Sequence, residues 1–208
     1  FQAFPLWAGT ADRARRLRAL HERAYFMAGV ESVASALALG AAVAGSERSL
    51  PVLVEVDCGM HRTGVQLDEL KPVVRACQGA GLDVQGAFTF GGHGYATCDA
   101  SPAAGHDEVT SLAAAAEVLR EEGVDVRVLS AGSTPTAFHS ARAPVTDERP
   151  GTYVFQDRQQ LALGTATLDD VALVVAATVV ASHRDGRFVL DAGSKVLSSD
   201  RPRWLTGF

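Results

Sequence analysis

The chain has 208 residues, a formal net charge of −5 and an isoelectric point near 5.7, which excludes the basic excess of a nucleic-acid-binding surface. With 47% hydrophobic and 21% charged residues, the composition is that of a soluble globular enzyme with one sizeable core. Cys58, Cys77 and Cys98 are odd in number and lack Cys-x-x-Cys spacing; they read as reduced thiols of a cytoplasmic protein. The longest apolar run, residues 171–181, is too short to cross a bilayer as a helix, and its valines suit a buried strand.

In chain order, residues 1–7 predict a short apolar strand. Thr10 is a candidate N-cap for a helix with Ala14, Leu17 and Leu20 on one face. A second strand follows at 25–30 and a small-residue helix at 32–44. Residues 51–57 are almost continuously apolar, as in a parallel strand covered on both faces. A helix at 68–79 turns Leu70, Val73, Val74 and Cys77 inward. The fourth strand is expected at 82–90. Beyond a glycine-rich connection comes a helix from about Asp107, stopped at Gly123. A fifth strand at 125–130 and a sixth at 151–155 complete the run. Strands alternating with helices imply a parallel sheet or a βα barrel. After Asp157 the pattern changes to a β-hairpin around Arg184-Asp-Gly-Arg187, and no further helix is expected. The domain boundary is therefore placed between residues 157 and 158.

Four segments carry polar chemistry at strand ends. Ser130-Ala-Gly-Ser-Thr-Pro-Thr136 is either a phosphate cradle, with Gly132 admitting an anion to the backbone and Ser133 and Thr134 adding hydroxyls, or an ordinary loop with a helix cap. Asp57-Cys-Gly-Met-His-Arg-Thr-Gly64 offers Arg62 as a permanently charged donor fork, or an Arg–Asp pair bracing a loop. Phe88-Thr-Phe-Gly-Gly-His-Gly-Tyr95 offers His93 as a proton carrier and Tyr95 as a ring or hydroxyl contact; a solvated loop histidine is the plainer reading. Glu148-Arg-Pro-Gly-Thr-Tyr-Val-Phe155 brings Arg149 and Tyr153, the latter either at a site or in the core.

Taken in series, these motifs resemble the D-threonine aldolase and D-serine dehydratase family, related to the N-terminal domain of alanine racemase. Asp191-Ala-Gly-Ser-Lys-Val-Leu-Ser-Ser-Asp200 resembles the opening of that family's C-terminal β domain. The resemblance implies an α/β fold: part of a (β/α)8 barrel of the alanine racemase type, strands three to eight, then the start of a β domain. It implies pyridoxal 5'-phosphate as cofactor and a lyase acting on D-configured β-hydroxy amino acids, by retro-aldol cleavage or by elimination; amino-acid racemisation and a non-catalytic cofactor-binding fragment are the alternatives. It assigns Gly132, Ser133 and Thr134 to the phosphate, Arg62 to the pyridine ring, Tyr95 and Tyr153 to the lining, and His93 to the substrate side.

The resemblance also implies groups to be sought elsewhere. Its Schiff-base lysine sits on the first barrel strand, expected before Phe1, because Lys71 opens a helix and Lys195 falls in the β segment. Its divalent-metal ligands are expected beyond Phe208, so no metal site is expected within these residues. The chain is accordingly expected to be a piece of a longer homodimeric enzyme, inactive alone.

Overall fold

The computed structural model describes residues 2–198. Its principal sheet has six strands, β1 (Gln2–Pro5), β2 (Ala28–Val30), β3 (Pro51–Glu55), β4 (Asp83–Phe88), β5 (Val128–Ala131) and β6 (Asp147–Glu148), adjacent in sequence order. Every pairing is parallel. Helices α1 (Ala11–Arg23), α2 (Val33–Val43), α3 (Leu70–Gly79) and α4 (Ser101–Glu121) return the chain between strands, and each packs against the next. Parallel neighbours connected in order through helices make an arc of a βα barrel. Among the described residues β1 and β6 remain edges.

Local chemistry accounts for the helix starts. The Thr10 hydroxyl accepts the Arg13 N–H, and Ser32 exchanges hydrogen bonds with Ser35 in a capping box, satisfying amides that have no partner inside the helix. The strands divide by the two-residue period of the pleat. Val52, Val54, Leu129 and Ala131 join the apolar layer under the helices, with Leu39, Leu70, Leu112 and Leu119. Leu53, Glu55, Phe88 and Ser130 belong to the opposite parity or to the far side of a bulge, and are also buried. The bulge lies at Gly86, whose φ is +151°; a Cβ there would stand 1.8 Å from the Val128 carbonyl oxygen. Only glycine permits that approach of β4 to β5.

Several expectations are corrected. The helix expected from Asp107 begins at Ser101, with Pro102 in its first turn, where a missing N–H costs nothing. Leu20 is exposed while Leu17 is buried, because α1 presents only a narrow stripe to α2. Residues 151–155 form no strand: Thr152–Val154 is a 3-10 turn, and the sixth strand is the two-residue β6 upstream of Pro150. Tyr153 is 57% exposed and is not a core residue. A short helix, α6 (Arg158–Ala162), follows Asp157, which caps it by accepting the Gln160 N–H at 2.9 Å.

The hairpin is present as β7 (Val179–Ser182) and β8 (Phe188–Leu190), antiparallel. The apolar run leading into it is not a buried strand: Leu173 and Val174 are exposed, and regular structure starts only at Val179. The expected strand start at Phe1 and the end of the 191–200 motif lie outside the described residues. No described helix is long and apolar enough to cross a membrane.

Candidate functional site

The polar loops leave the C-terminal ends of β3, β4 and β5, where a parallel barrel gathers its variable loops. After β3, Asp57 organises its own turn. Oδ1 accepts the N–H groups of Gly59 and His61 at 2.9 and 3.0 Å, and Oδ2 contacts His61 Nδ1 at 2.8 Å. Burial pushes the Asp57 carboxyl up, but these amides and the His61 ring outweigh it and hold it below the ordinary carboxylate range. His61, at φ +54° with its side chain largely exposed, braces this loop. The next residue is Arg62. Its guanidinium carbon lies 4.8 Å from the Phe90 ring centroid, a cation–π distance, in a crevice shared with Glu55, Met60 and Thr63.

The loop after β4 carries Gly91 to Tyr95, the last four residues forming a 3-10 turn. His93 Nε2 contacts Asp107 Oδ2 at 3.2 Å, while its Nδ1 is buried and unpartnered among the described residues. The ring packs over Gly59, where a Cβ would stand 3.3 Å from His93 Cε1. The Tyr95 ring lies 6.4 Å from that of Phe90. Burial raises the Tyr95 hydroxyl above its ordinary pKa, against hydrogen bonding from the side chains of Ser133 and Gln160.

The loop after β5 holds Gly132, Ser133 and Thr134. The Gly132 N–H donates to Glu108 Oε1 at 3.1 Å, and the Ser133 N–H to Thr136 Oγ1 at 2.9 Å. The loop also opens the short helix α5 (Ala137–Ser140): the Ala137 N–H donates to the Ser133 carbonyl. Thr136, the residue before this helix, makes no side-chain cap, and Ser133 Oγ lies 2.9 Å from Thr136 Oγ1. Thr134 Oγ1 accepts the Tyr153 N–H at 3.1 Å, which brings Tyr153 to this loop through its backbone. Gly132 has φ +88°, and a Cβ would meet Glu148 Oε2 at 1.6 Å. Its missing side chain makes room for a carboxyl group of the protein.

Sequence reasoning missed Glu55, Glu108 and Gln160, and gave Glu148 and Arg149 no role. Under the loops, the Arg149 Nε–H donates to Ser130 Oγ at 2.6 Å and Nη2 to the Thr89 carbonyl. The Arg149 guanidinium carbon is 5.5 Å from the Phe88 ring centroid. Burial lowers the Arg149 pKa, against the attraction of Glu108, Asp147, Glu55 and Glu148. Burial pushes Glu55 up to about 6 and Glu148 up to about 7. A charge inside the apolar strand 51–55 was a visible signal for Glu55. Glu108 sits four residues from both Ala104 and Leu112, on the apolar stripe of α4, a second signal. Gln160 lay past the expected barrel and carried none. Its Oε1 accepts the Thr165 hydroxyl at 2.6 Å, while Nε2 is buried without a hydrogen-bond partner among the described residues.

Neither lysine stands at these loops. Lys71 pairs with Glu121 at 2.8 Å between α3 and α4, and Lys195 is exposed beyond the hairpin. Among the described residues no cluster of three or more His, Cys, Asp or Glu is arranged to hold a metal.

A parallel βα arc with Arg62, His93, Tyr95 and Ser133 on consecutive strand-end loops defines a class of barrel proteins that keep a ligand site at that face. The alanine racemase N-terminal domain family matches residues 5–159, and the chain belongs to it. The D-threo-3-hydroxyaspartate dehydratase of Delftia sp. (strain HT23) is 37% identical over 179 residues, covering 83% of this chain and 47% of that protein. Its solved structure superposes with a TM-score of 0.83 at 33% identity, over 96% of this chain and 54% of that one. The D-serine dehydratase of Dictyostelium discoideum is 28% identical over 74% of this chain and 42% of its own length. The D-threonine aldolase of Arthrobacter sp. is 30% identical over 73% and 42%. The chain spans about half the length of these relatives.

Proposed function

We propose that residues 1–157 are the cofactor-binding barrel portion, and residues 158–208 the opening of a β domain, of a pyridoxal-phosphate-dependent lyase for D-configured β-hydroxy amino acids. The observation that carries this reading is that the loops after β3, β4 and β5 bring Arg62, His93, Tyr95 and Ser133 to the same end of the parallel sheet. Near the Tyr95 hydroxyl, Gln160 Nε2 is buried without a hydrogen-bond partner among the described residues. An unpartnered buried donor fits an acceptor-rich group such as a phosphate. The relatives named for D-threo-3-hydroxyaspartate, D-serine and D-threonine support the substrate class. The fit is partial, because no described lysine amine reaches the loops.

Pyridoxal phosphate supplies, when bound, an electron sink for the electrons released at the α-carbon of an amino acid. In this reading Ser133 and Thr134 bind the phosphate through their hydroxyls, and Gly132 shapes the turn that presents them. Arg62, held against Phe90, lies beside the ring and compensates negative charge there. Tyr95 and Tyr153 line the site, orient the ring and narrow access for water. His93, oriented through Nε2 by Asp107, takes up or returns a proton at Nδ1. A divalent metal belongs to the whole enzyme in this reading; a variant of the dehydratase has been solved in the metal-free form. So does a homodimer with each β domain against the neighbouring barrel, which the exposed Phe188, Val189 and Leu190 support.

The test is an absorbance titration of the purified chain with pyridoxal phosphate, before and after borohydride, with peptide mapping. Saturable binding without a reduced lysine adduct supports the reading. An adduct at Lys71 or Lys195 overturns it, as does no binding. Assays of the full-length enzyme with D-threo-3-hydroxyaspartate, D-serine and D-threonine, followed by oxaloacetate, pyruvate and glycine, then separate elimination from retro-aldol cleavage.

A further inference from the structure

Glu108 is fully buried in the middle of α4, flanked on its own stripe by Ala104 and Leu112. A carboxyl group on an apolar helix face is costly unless its oxygens receive hydrogen bonds. Here Oε1 receives two, while Oε2 is buried without a hydrogen-bond partner among the described residues. Oε1 accepts the Gly91 N–H at 2.8 Å and the Gly132 N–H at 3.1 Å. These amides belong to different loops, one leading to His93 and Tyr95 and the other to Ser133 and Thr134. Two donors sharing one acceptor stand within roughly 5 Å of each other, so a single oxygen sets the spacing of the loops.

Glycine is needed at both points. A Cβ at Gly91 would stand 2.8 Å from Glu108 Cδ, and one at Gly132 would strike Glu148 Oε2. The Gly91 loop therefore reaches the Glu108 carboxyl group with its backbone alone, and the Gly132 loop leaves its side-chain space to Glu148. Further along the same loops Tyr95 and Ser133 are near enough for the Ser133 side chain to counter the burial that raises the Tyr95 hydroxyl.

We propose that Glu108 is a positioning residue of the cofactor site, holding the Tyr95 loop and the Ser133 loop in register through the amides of Gly91 and Gly132. The inference rests on the cofactor reading above. It requires that removing the carboxyl group loosen both loops together and cost affinity for the phosphate group more than for the ring.

The experiment compares Glu108→Ala, Glu108→Asp and Glu108→Gln in the 208-residue chain. Hydrogen exchange is read at the amides of Gly91 and Gly132, and pyridoxal phosphate and phosphate-free pyridoxal are titrated by absorbance. Loss of two amide hydrogen bonds is expected to raise exchange at both amides at least about tenfold in Glu108→Ala. Affinity for pyridoxal phosphate should fall by about the same factor, while that for pyridoxal changes less than about twofold. Glu108→Gln, which keeps an acceptor oxygen, restores both readouts to within about threefold. Glu108→Asp, whose shorter chain withdraws the carboxyl group, behaves like alanine and carries the test if the alanine variant does not fold.

Exchange that rises at only one amide, or at neither, overturns the inference and leaves the cofactor reading standing. Equal loss of both ligands together with a lowered Tm also overturns it, making Glu108 a fold residue only. A wild-type chain that binds neither compound overturns the cofactor reading and the positioning role with it; paired exchange would then mark a loop clamp without that site.

Discussion

The Nε–H of Arg149 donates to the Ser130 hydroxyl at 2.6 Å, tying the residue after β6 to the inward face of β5. The same guanidinium reaches the Thr89 carbonyl beyond β4, so one side chain spans three successive strand ends. Replacing Arg149 by alanine leaves those acceptors and the neighbouring carboxyl groups without their cation. The expected loss is about 2–4 kcal/mol in urea unfolding. A loss under about 0.5 kcal/mol would show that the span is not a stabilising element.

Stability should depend on pH through the interior carboxyl groups. Glu55 and Glu148 are raised in the fold, to about 6 and about 7 from an ordinary value of 4.5. The folded chain thus binds protons more tightly than the unfolded chain. This contribution is fully present below pH 4.5 and is lost as pH rises through 6 and then 7. Asp57 is lowered instead, so its contribution is present above its unfolded value and disappears only in stronger acid. Urea midpoints should therefore fall between pH 4.5 and 7. Glu55→Gln should flatten the lower part of that window and Glu148→Gln the upper; an unchanged slope in both would contradict these assignments.

Gly132→Ala should be among the most disruptive small substitutions. Its φ of +88° is a left-handed conformation, and the new Cβ would stand 1.6 Å from Glu148 Oε2. Backbone strain alone costs roughly 1–3 kcal/mol, and displacement of Glu148 adds to it. Thermal unfolding checks the loss. The double variant Gly132→Ala with Glu148→Ala should recover part of it, since the colliding group is then gone.

The thiols should separate by accessibility. Cys98 is exposed, whereas Cys58 and Cys77 are buried and burial pushes each up to about 12. A thiol reagent at pH 8 should modify one cysteine quickly and the other two only on unfolding, because the thiolate is the reacting species. Rapid modification of Cys58 would mean that the loop after β3 opens readily.

The helix–strand alternation from β1 to β5 was legible because burial imposes a period on apolar residues. Leu17, Leu70, Val73, Val74 and Cys77 face the core as their spacing requires. Arg62, His93, Tyr95 and Ser133 were legible as site candidates because they occupy glycine-rich loops at strand ends. The misplaced sixth strand has a local cause. Thr152, Tyr153 and Val154 favour strand, yet β5 hydrogen-bonds with Asp147 and Glu148, whose propensity for strand is low. Pairing partners, which propensity does not contain, decided between them.

By itself the sequence determined the order of the elements, the parallel sheet and the residue types offered at each strand end, since these follow from periodicity and backbone preferences acting over a few residues. Only the tertiary structure decided which polar groups meet. Glu108 with the amides of Gly91 and Gly132, and Arg149 with Ser130 and Thr89, are separated by 17 to 60 residues in the chain. A hydrogen bond depends on distance and direction, and for residues so far apart both are set by how the strands pack side by side.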